Sequence, residues 1–378
     1  MKTFKELGIS DALITGLSKA GIVNPTEIQG AVIPGGLARQ DVIAQSVTGS
    51  GKTLAYLLPI FETIDATSKA LQAVVLSPTH ELSVQIANEV KKLAQNSGLA
   101  LQCQVLIGET SLKRQVEALK SKPQIVVGSP GRITELIAMK KLKMHEVKTI
   151  VLDEADRLMD DTKLADCRAV IKATLRDRQL MAFSASITPQ AETVLTEMMK
   201  TPQVIRLEGT LVNPNITHLF VECELRDKAD AVRKIASALK PEKILVFLNK
   251  NDHIQNMEKF LIHHKVSAKA IYGASERQDR KDAMEGFRSG RYQVLIASDL
   301  AARGLDIAGL NVVVSADVPK KTEEYVHRVG RTARYANEGY AIVLATSQDL
   351  SFLKTLEEDL SVTFHEKILR FGRIEDPR

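Results

Sequence analysis

The stretch Gln45-Ser46-Val47-Thr48-Gly49-Ser50-Gly51-Lys52-Thr53 decides how the first part of this chain folds. It follows the apolar run Asp41 to Ala44 and precedes the amphipathic run Leu54 to Ile64. A strand, a glycine-rich loop and a helix in this order are typical of a phosphate-binding loop. Such a loop turns backbone N–H groups inward, and the helix N-terminus attracts negative charge.

The residues of this loop suit a nucleotide with magnesium. Gly49 and Gly51 allow the turn, Lys52 supplies a point charge for phosphate, and Thr53 supplies a hydroxyl for the metal. Ser46 stands where the general pattern has its first glycine. The alternative is a plain glycine-rich turn, which the Gly-Lys-Thr spacing and the flanking elements argue against. We therefore expect ATP and Mg²⁺ to be held by Thr48, Gly49, Ser50, Gly51, Lys52 and Thr53.

Length and composition indicate a globular chain of two domains. With 378 residues, the chain is too long for one ordinary core and fits two α/β domains of ~150 residues each. Apolar residues make up 44% and charged residues 26%, which are ordinary values for a folded protein. The formal charge of +5 suits a polyanionic partner, although a solvated surface explains it equally well.

Several kinds of site are disfavoured. Cys103, Cys167 and Cys223 lack C-x-x-C spacing, so neither a disulfide framework nor a zinc site is indicated. Residues 1–10 carry no basic segment followed by an apolar stretch, and no run of ~18 apolar residues occurs. We expect a cytoplasmic monomer without a membrane segment.

Short β-branched runs alternate with amphipathic stretches along the chain, which predicts parallel strands joined by helical crossovers. The pattern is interrupted by Gly209, Asn213 and Pro214, as in a linker. We predict two open α/β domains, 1–207 and 217–378, joined by a short linker at 208–216. The predicted strands are 41–44, 73–76, 124–127, 149–152 and 180–183 in the first domain, and 243–248, 293–297, 312–315 and 340–344 in the second.

A second half of the nucleotide site follows the strand predicted at 149–152. This strand ends in Asp153-Glu154-Ala155-Asp156. Carboxylates at the C-terminal edge of a parallel sheet suit magnesium coordination by Asp153 and water activation by Glu154. The acidic residues could instead be the first turn of a helix, where they complement the helix dipole. That alternative accounts for one carboxylate, not for two beside a phosphate loop.

With these two motifs, the chain resembles the DEAD-box ATP-dependent RNA helicases over nearly its whole length. The resemblance implies two tandem RecA-like domains. Phe4 and the segment 21–29 look like the motif with which this family reads adenine, in which Thr26 and Gln29 would take part. A side-chain amide offers both a donor and an acceptor to the edge of the base.

The resemblance also assigns residues that couple and complete hydrolysis. Ser184-Ala185-Ser186 is similar to a coupling motif that normally ends in threonine, and Asp156 and His327 belong to the same group. In the second domain, 297–307 and 327–334 look like motifs five and six. They imply that Asp306 lies near the ribose, and that Arg331 and Arg334 act on the γ-phosphate as arginine fingers. Taken alone, 327–334 could be an exposed basic helix.

RNA contacts are implied at positions that match the family's motifs. They are Pro78, Thr79, His80, Gly108, Ser129, Gly131 and Arg132 in the first domain, and Lys250, Arg277, Arg280 and Arg303 in the second. His80 replaces an arginine and Glu109 a glycine, which weakens the attraction for phosphates, while Arg277 replaces a glutamine and restores one cation. Ser129 and Ala333 depart from the pattern too. We expect weak autonomous RNA affinity with a shallow salt dependence.

The resemblance implies an enzyme that hydrolyses ATP and locally unwinds or remodels RNA by gripping its backbone. Ribosomal particles and protein cofactors are expected partners by family analogy, with ribosome assembly as the expected process. An ATP-gated RNA clamp or assembly scaffold is the main alternative. A DNA translocase is a third, against which Gln29 and the intact Asp153–Asp156 motif argue.

Overall fold

A computed structural model of the chain describes residues 2–47, 49–108, 110–207, 212–272, 277–302, 307, 309–333, 338–370 and 372–377. It divides into two compact units, Met1–Gly209 and Thr210–Arg378. Each unit contains a seven-stranded sheet. None of the helices in the described ranges has the length and apolar character needed to span a membrane.

The sheet of unit 1 is entirely parallel, with the strand order β3-β4-β2-β5-β6-β1-β7. Its strands are β1 Val42–Gln45, β2 Ala73–Leu76, β3 Cys103–Leu106, β4 Ile125–Gly128, β5 Thr149–Asp153, β6 Gln179–Ser184 and β7 Gln203–Arg206. Its helices are α1 Asp11–Lys19, α2 Glu27–Leu37, α3 Lys52–Thr63, α4 His80–Ser97, α5 Leu112–Ala118, α6 Pro130–Ala138, α7 Ala155–Leu158, α8 Asp161–Lys172 and α9 Pro189–Met198.

Helices cover both faces of this sheet, which explains why its strands are almost uniformly apolar. In β2, Val75 packs into the core on one face and Val74 into the core on the other, because successive side chains of a strand point to opposite sides. The carboxyl ends of the strands lie at one edge. The loops that follow β4, β2, β5, β6 and β1 therefore lie side by side, in that order.

The sheet of unit 2 is parallel as well, with the order β10-β11-β9-β12-β13-β8-β14. Its strands are β8 Ile216–Glu222, β9 Ile244–Phe247, β10 Ala268–Ile271, β11 Val294–Ala297, β12 Val312–Ser315, β13 Gly339–Ala345 and β14 His365–Glu366, followed by the antiparallel pair β15 Ile368–Arg370 and β16 Arg373–Glu375. Its helices are α10 Lys228–Leu239, α11 Asn251–His263, α12 Arg277–Arg288, α13 Asp299–Ala302, α14 Thr322–Val329 and α15 Leu350–Leu360.

The predicted fold class, two tandem RecA-like parallel-sheet domains, is confirmed. The alternation of apolar runs did not reveal β3, β7, β8, β10 and β14, which lie at or near the sheet edges and include more polar residues. Residues 208–211 of the predicted linker lie outside the described residues, and β8 begins at its last position, Ile216.

Candidate functional site

The loop after β1 has the backbone that its glycines allow. Gly49 has φ 83° and Gly51 φ 94°, a region that side chains rarely adopt. A Cβ on Gly51 would also lie 2.5 Å from Nε2 of Gln29, so no side chain fits there without a shift. Thr48, predicted to contact the nucleotide, lies outside the described residues.

Lys52 is the first residue of α3, and its ammonium group turns back into the loop. It donates to the carbonyl oxygens of Ser46, at 2.5 Å, and Val47, at 2.8 Å. The hydroxyls of Ser46 and Ser50 are 2.7 Å apart, which shows how the loop uses a serine where glycine is usual. The loop thus places a lysine and the start of a helix around one concave turn, which fits a phosphate chain.

Gln29 connects the adenine-type motif to this loop. Its Oε1 accepts from the N–H of Thr26 at 3.0 Å, and its Nε2 donates to the carbonyl of Gly51 at 3.1 Å. The amide is buried and retains one donor and one acceptor position beyond these bonds. Phe4 is only 2% exposed and packs into the core of unit 1.

Asp153 ends β5 as a buried carboxyl group. It accepts from the Tyr56 hydroxyl at 2.9 Å and from the N–H of Glu154 at 2.9 Å. Burial raises its pKa to about 6, and the Glu154 charge adds to the rise, whereas Tyr56 and Lys52 oppose it. With the Thr53 hydroxyl, this carboxyl group provides the oxygen ligands that Mg²⁺ prefers, so the donor set fits the metal.

Glu154 is held in an unusual backbone conformation. Its φ of 52° lies in the left-handed region, which turns the chain abruptly from β5 into the single turn of α7. Arg157 donates to its Oε2 at 2.9 Å, and both side chains are largely buried. Arg157 was assigned no role from its motif, although its spacing three residues after Glu154 on a helical turn permits this contact.

The coupling residues of unit 1 are partly joined. Ser184 ends β6 and donates to Oδ1 of Asp156, while its carbonyl accepts from the N–H of Ser46 at 3.1 Å. Burial raises the pKa of Asp156, and the Ser184 hydroxyl opposes that shift. Among the described residues, the buried Oγ of Ser186 has no hydrogen-bond partner. The carboxyl end of β6 is therefore hydrogen-bonded to both halves of the candidate nucleotide site. It contacts the glycine loop at Ser46 and the acidic segment at Asp156.

The predicted RNA contacts of unit 1 follow β2, β3 and β4, which are adjacent in the sheet. Thr79 caps α4 by accepting from the N–H of Leu82 at 3.3 Å, with Pro78 before it and His80 after it. Ser129 precedes α6, and Gly108 and Gly131 are exposed.

Arg132 is less available than a predicted phosphate ligand should be. It donates to the carbonyl oxygens of Gly108, at 2.9 Å, and Thr110, at 3.1 Å. In this structure it therefore holds the loop after β3. Glu109 lies outside the described residues.

In unit 2, α14 carries a buried arginine that the sequence left without a role. Arg328 is 1% exposed and donates twice to the Asp299 carboxylate, at 2.7 and 2.6 Å. It also donates to the Asp317 carbonyl at 2.5 Å and to Oδ1 of Asn249 at 3.2 Å. These partners follow β11, β12 and β9, so one guanidinium group joins three strand ends. Its position after His327 in the motif was the available signal.

The other predicted residues of unit 2 are placed as follows. Arg331 is 6% exposed and donates from Nε to the His327 carbonyl at 3.2 Å, which excludes an exposed basic helix at this position. Lys250 is exposed immediately before α11, and Arg280 donates to the Ala301 carbonyl at 3.0 Å. Outside the described residues lie Arg303, Asp306, Arg334 and the side chain of Arg277.

Comparisons with known proteins agree with this geometry. The DEAD/DEAH box helicase family model matches residues 26–194, and the helicase conserved C-terminal domain model matches residues 227–336. The chain is 43% identical to the DEAD-box ATP-dependent RNA helicase CshC of Bacillus cereus, over 92% of this chain and 88% of that protein. It is 39% identical to the probable ATP-dependent RNA helicase YfmL of Bacillus subtilis, over 94% of each.

A solved structure, S. cerevisiae Dbp5 bound to RNA and ADP BeF3, is similar in fold. The TM-score is 0.87 at 25% sequence identity, covering 97% of this chain and 95% of that one.

Proposed function

The chain belongs to the DEAD-box ATP-dependent RNA helicases, and from that premise we propose that it locally unwinds or remodels RNA duplexes and RNA–protein complexes. It is an enzyme of a family whose ATP hydrolysis is stimulated by RNA. The observation that carries the proposal is one connected set of contacts in unit 1. Lys52 bonds within the loop, Ser46 bonds to Ser184, and Ser184 bonds to Asp156 beside the Asp153–Glu154 pair.

The positions of the unit 1 residues support the following proposed roles. Residues 46–53 bind the phosphates of ATP, with Lys52 as the cation. Thr53 and Asp153 would hold Mg²⁺, partly through water, and the metal would neutralise charge on the phosphate oxygens. Glu154 accepts a proton from the attacking water, and Arg157 orients its carboxylate. Burial raises the pKa of Asp153, and a bound cation would favour the ionised form of this carboxyl group.

The remaining assignments are proposals that rest on the family resemblance. Phe4, Thr26 and Gln29 recognise adenine, and Asp306 contacts the ribose. Arg331 and Arg334 stabilise the transferring phosphate, and Ser184, Ser186, Asp156 and His327 couple hydrolysis to RNA binding. The unpartnered Oγ of Ser186, within the described ranges, supports a hydroxyl reserved for another contact.

RNA is the proposed substrate, gripped through backbone phosphates without sequence preference. The contacts are 78–80, Gly108, Ser129 and Gly131 in unit 1, with Arg132 positioning its loop, and Lys250, Arg277, Arg280 and Arg303 in unit 2. Work on ribosomal particles, binding of protein cofactors, a monomeric state and a cytoplasmic location remain predictions.

Three ATP hydrolysis assays test the proposal, with single-stranded RNA, with single-stranded DNA and with neither. We expect RNA to raise turnover at least about tenfold and DNA to have little effect, because RNA contacts favour the hydrolysis-competent state. Equal stimulation by DNA would contradict the RNA assignment. Separation of a short RNA duplex, measured in parallel, distinguishes a helicase from an ATP-gated clamp, which would hydrolyse ATP and hold RNA without strand separation.

Glu154→Gln tests the proposed base. The amide keeps the shape of the carboxylate but cannot accept the proton, so turnover should fall by about 10³ while ATP binding persists. Asp161→Asn, an exposed carboxylate at the start of α8, is the control and should leave turnover unchanged. If Glu154→Gln still hydrolyses ATP at the normal rate, another group is the base.

A further inference from the structure

Unit 1 has a second concave surface at the amino ends of its strands. The candidate nucleotide site lies at the other end, where the strands finish. The second surface is formed by the end of α8, the segment leading into β6 and the end of α9, and it encloses about 410 Å³. Strand β6 runs from this surface at Gln179 to the nucleotide site at Ser184. A strand of this length spans roughly 17 Å, so the surface is separate from the phosphate loop. Its polar lining consists of Arg168, Lys172, Thr174, Arg176, Arg178 and Glu197.

The lining is strongly cationic, with one carboxylate among four basic side chains. Glu197 is already engaged by Arg168 at 3.4 Å, and both of these side chains are more than half exposed. Lys172 and Arg176 are exposed and form no ion pair with any described residue. The pocket therefore presents an uncompensated positive charge that attracts anions.

Arg178 supplies the fourth positive charge of the lining. Its Nε is buried, yet within the described ranges it has no hydrogen-bond acceptor. Such a group is costly, because it has lost water without gaining a partner. Three of the four cations are arginines, whose forked guanidinium groups match the oxygens of a phosphate.

We propose that this pocket binds a backbone phosphate of RNA and anchors the protein to its substrate independently of ATP. The inference rests on the proposed function, since it takes RNA as the substrate. Strand β6 lies between β5 and β1 and so offers no free edge on which an acidic peptide could add as a strand. The forked guanidinium groups of the pocket match the oxygens of a phosphate, and RNA is the phosphate-bearing partner that the proposed function supplies. It would supply affinity that His80 and Glu109 remove from the predicted RNA contacts.

A pair of matched double variants tests the site. Lys172→Glu/Arg176→Glu reverses two charges in the pocket, and Lys91→Glu/Lys92→Glu reverses two exposed charges on α4. Binding of a labelled 20-nucleotide single-stranded RNA is measured without nucleotide at several salt concentrations. Loss of two phosphate contacts should weaken binding about tenfold at low salt and reduce the slope of log K against log salt by about 1.4. The control should change affinity less than about threefold, because only screened, long-range attraction is lost.

Further measurements make the outcome decisive. Arg176→Gln alone should weaken binding in the same direction, and unchanged melting temperatures show that the variants fold. Turnover of ATP at saturating RNA should stay at the wild-type value in the pocket variants. Equal losses in both double variants would reduce the effect to general surface charge, and no loss in either would remove the site.

Competition by a poly-glutamate peptide identifies the ligand class. If the peptide displaces RNA from the wild type as well as unlabelled RNA does, the protein binds carboxylates as well as phosphates, and the assignment of the pocket to a backbone phosphate is overturned. Failure of RNA to stimulate ATP hydrolysis would overturn the proposed function by itself, and the binding comparison does not depend on that assay.

Discussion

The two units have the same strand order, but the connection between the first strand and the helix that follows it differs between them. Shifting every strand number of unit 1 by seven gives the order of unit 2. In unit 1, β1 is followed by the glycine loop and then by Lys52 at the start of α3. In unit 2, β8 is followed by Cys223, a short 3₁₀ turn at 225–227, and Lys228 at the start of α10. Both helices thus begin with a lysine.

The fate of this lysine differs between the units. Lys228 is buried and donates to the Ala316 carbonyl at 2.5 Å, and its Nζ lies 3.7 Å from Oδ1 of Asp317. Ala316 and Asp317 follow β12, whose place in the sheet corresponds to that of β5, which ends in Asp153. Unit 2 therefore pairs a lysine with an aspartate, whereas in unit 1 the corresponding lysine and aspartate are the residues proposed to bind a nucleotide and its metal. The shared topology does not make a nucleotide site; the glycine loop does.

The largest effects are expected from replacing these two lysines, and the effects should differ in kind. Lys52→Ala removes the phosphate cation and should lower ATP turnover by about 10³, since a lost charge-stabilising donor has an effect of that order. Steady-state ATP hydrolysis with saturating RNA measures it.

Lys228→Ala serves as the matched control and should instead destabilise unit 2. It leaves the largely buried Asp317 without its cation, and we expect a loss of about 3 kcal/mol in unfolding free energy. If Lys228→Ala abolished ATP binding without lowering the free energy of unfolding, Lys228 would act in ATP binding as Lys52 does. The proposed difference between the two lysines would then be wrong.

Arg328→Lys tests the network that holds the strand ends of unit 2. Lysine keeps the charge but cannot bond to Asp299, Asp317 and Asn249 together, so the unfolding free energy should fall by about 3 kcal/mol. Urea unfolding measures the change, and the exposed Arg291→Lys is the control, which should unfold at nearly the same urea concentration as the wild type. An unaffected Arg328→Lys protein would show that packing alone holds α14.

His218 makes unit 2 sensitive to acid. Burial lowers its pKa to about 4 from 6.5, and the nearby His365 adds to the shift. Between these values the unfolded imidazole binds a proton and the folded one does not, so stability falls as the pH drops from 6.5 to 4. At pH 5 we expect a loss of about 2 kcal/mol in the free energy of unfolding.

His218→Phe should remove most of this pH dependence, although it also costs the bond to the Tyr325 hydroxyl at every pH. Unfolding free energies at pH 7 and pH 5 give the difference for each protein. His253→Gln, at an exposed position, should retain the wild-type difference. An equal acid loss in the His218 variant would place the titrating group elsewhere.

The smallest effect is expected for Ser46→Gly, which tests whether the loop needs a serine at this position. It exchanges one hydroxyl contact with Ser50 for the residue that the general pattern has, so the KM for ATP should change less than about threefold. Gly51→Ala is the contrasting variant, because its φ of 94° and the close Gln29 amide leave no room for a methyl group. A larger effect at Ser46 than at Gly51 would show that the loop depends on the Ser46 hydroxyl and not on the glycine at position 51.

The features that could be predicted from the sequence are those formed by short, continuous segments of the chain. The glycine loop followed by Lys52, the apolar strand ending in Asp153 and Glu154, and the alternation of strands and helices are each local. The two parallel sheets and the family resemblance follow from them. The apolar pattern did not predict strands β3 and β14. Both are edge strands, which are less buried than central strands and can therefore be short or polar.

The partners of the buried polar groups depend on how the sheets assemble and cannot be read from the local sequence. The sheet edge brings Arg328 to Asp299 and Asn249, and Lys228 to Asp317, across distant parts of the sequence. It engages Arg132 with the carbonyl of Gly108 and leaves Arg178 Nε without an acceptor in the described chain. The physical reason is that a buried polar group must find its partner in space, and parallel strands place residues from separate crossovers side by side.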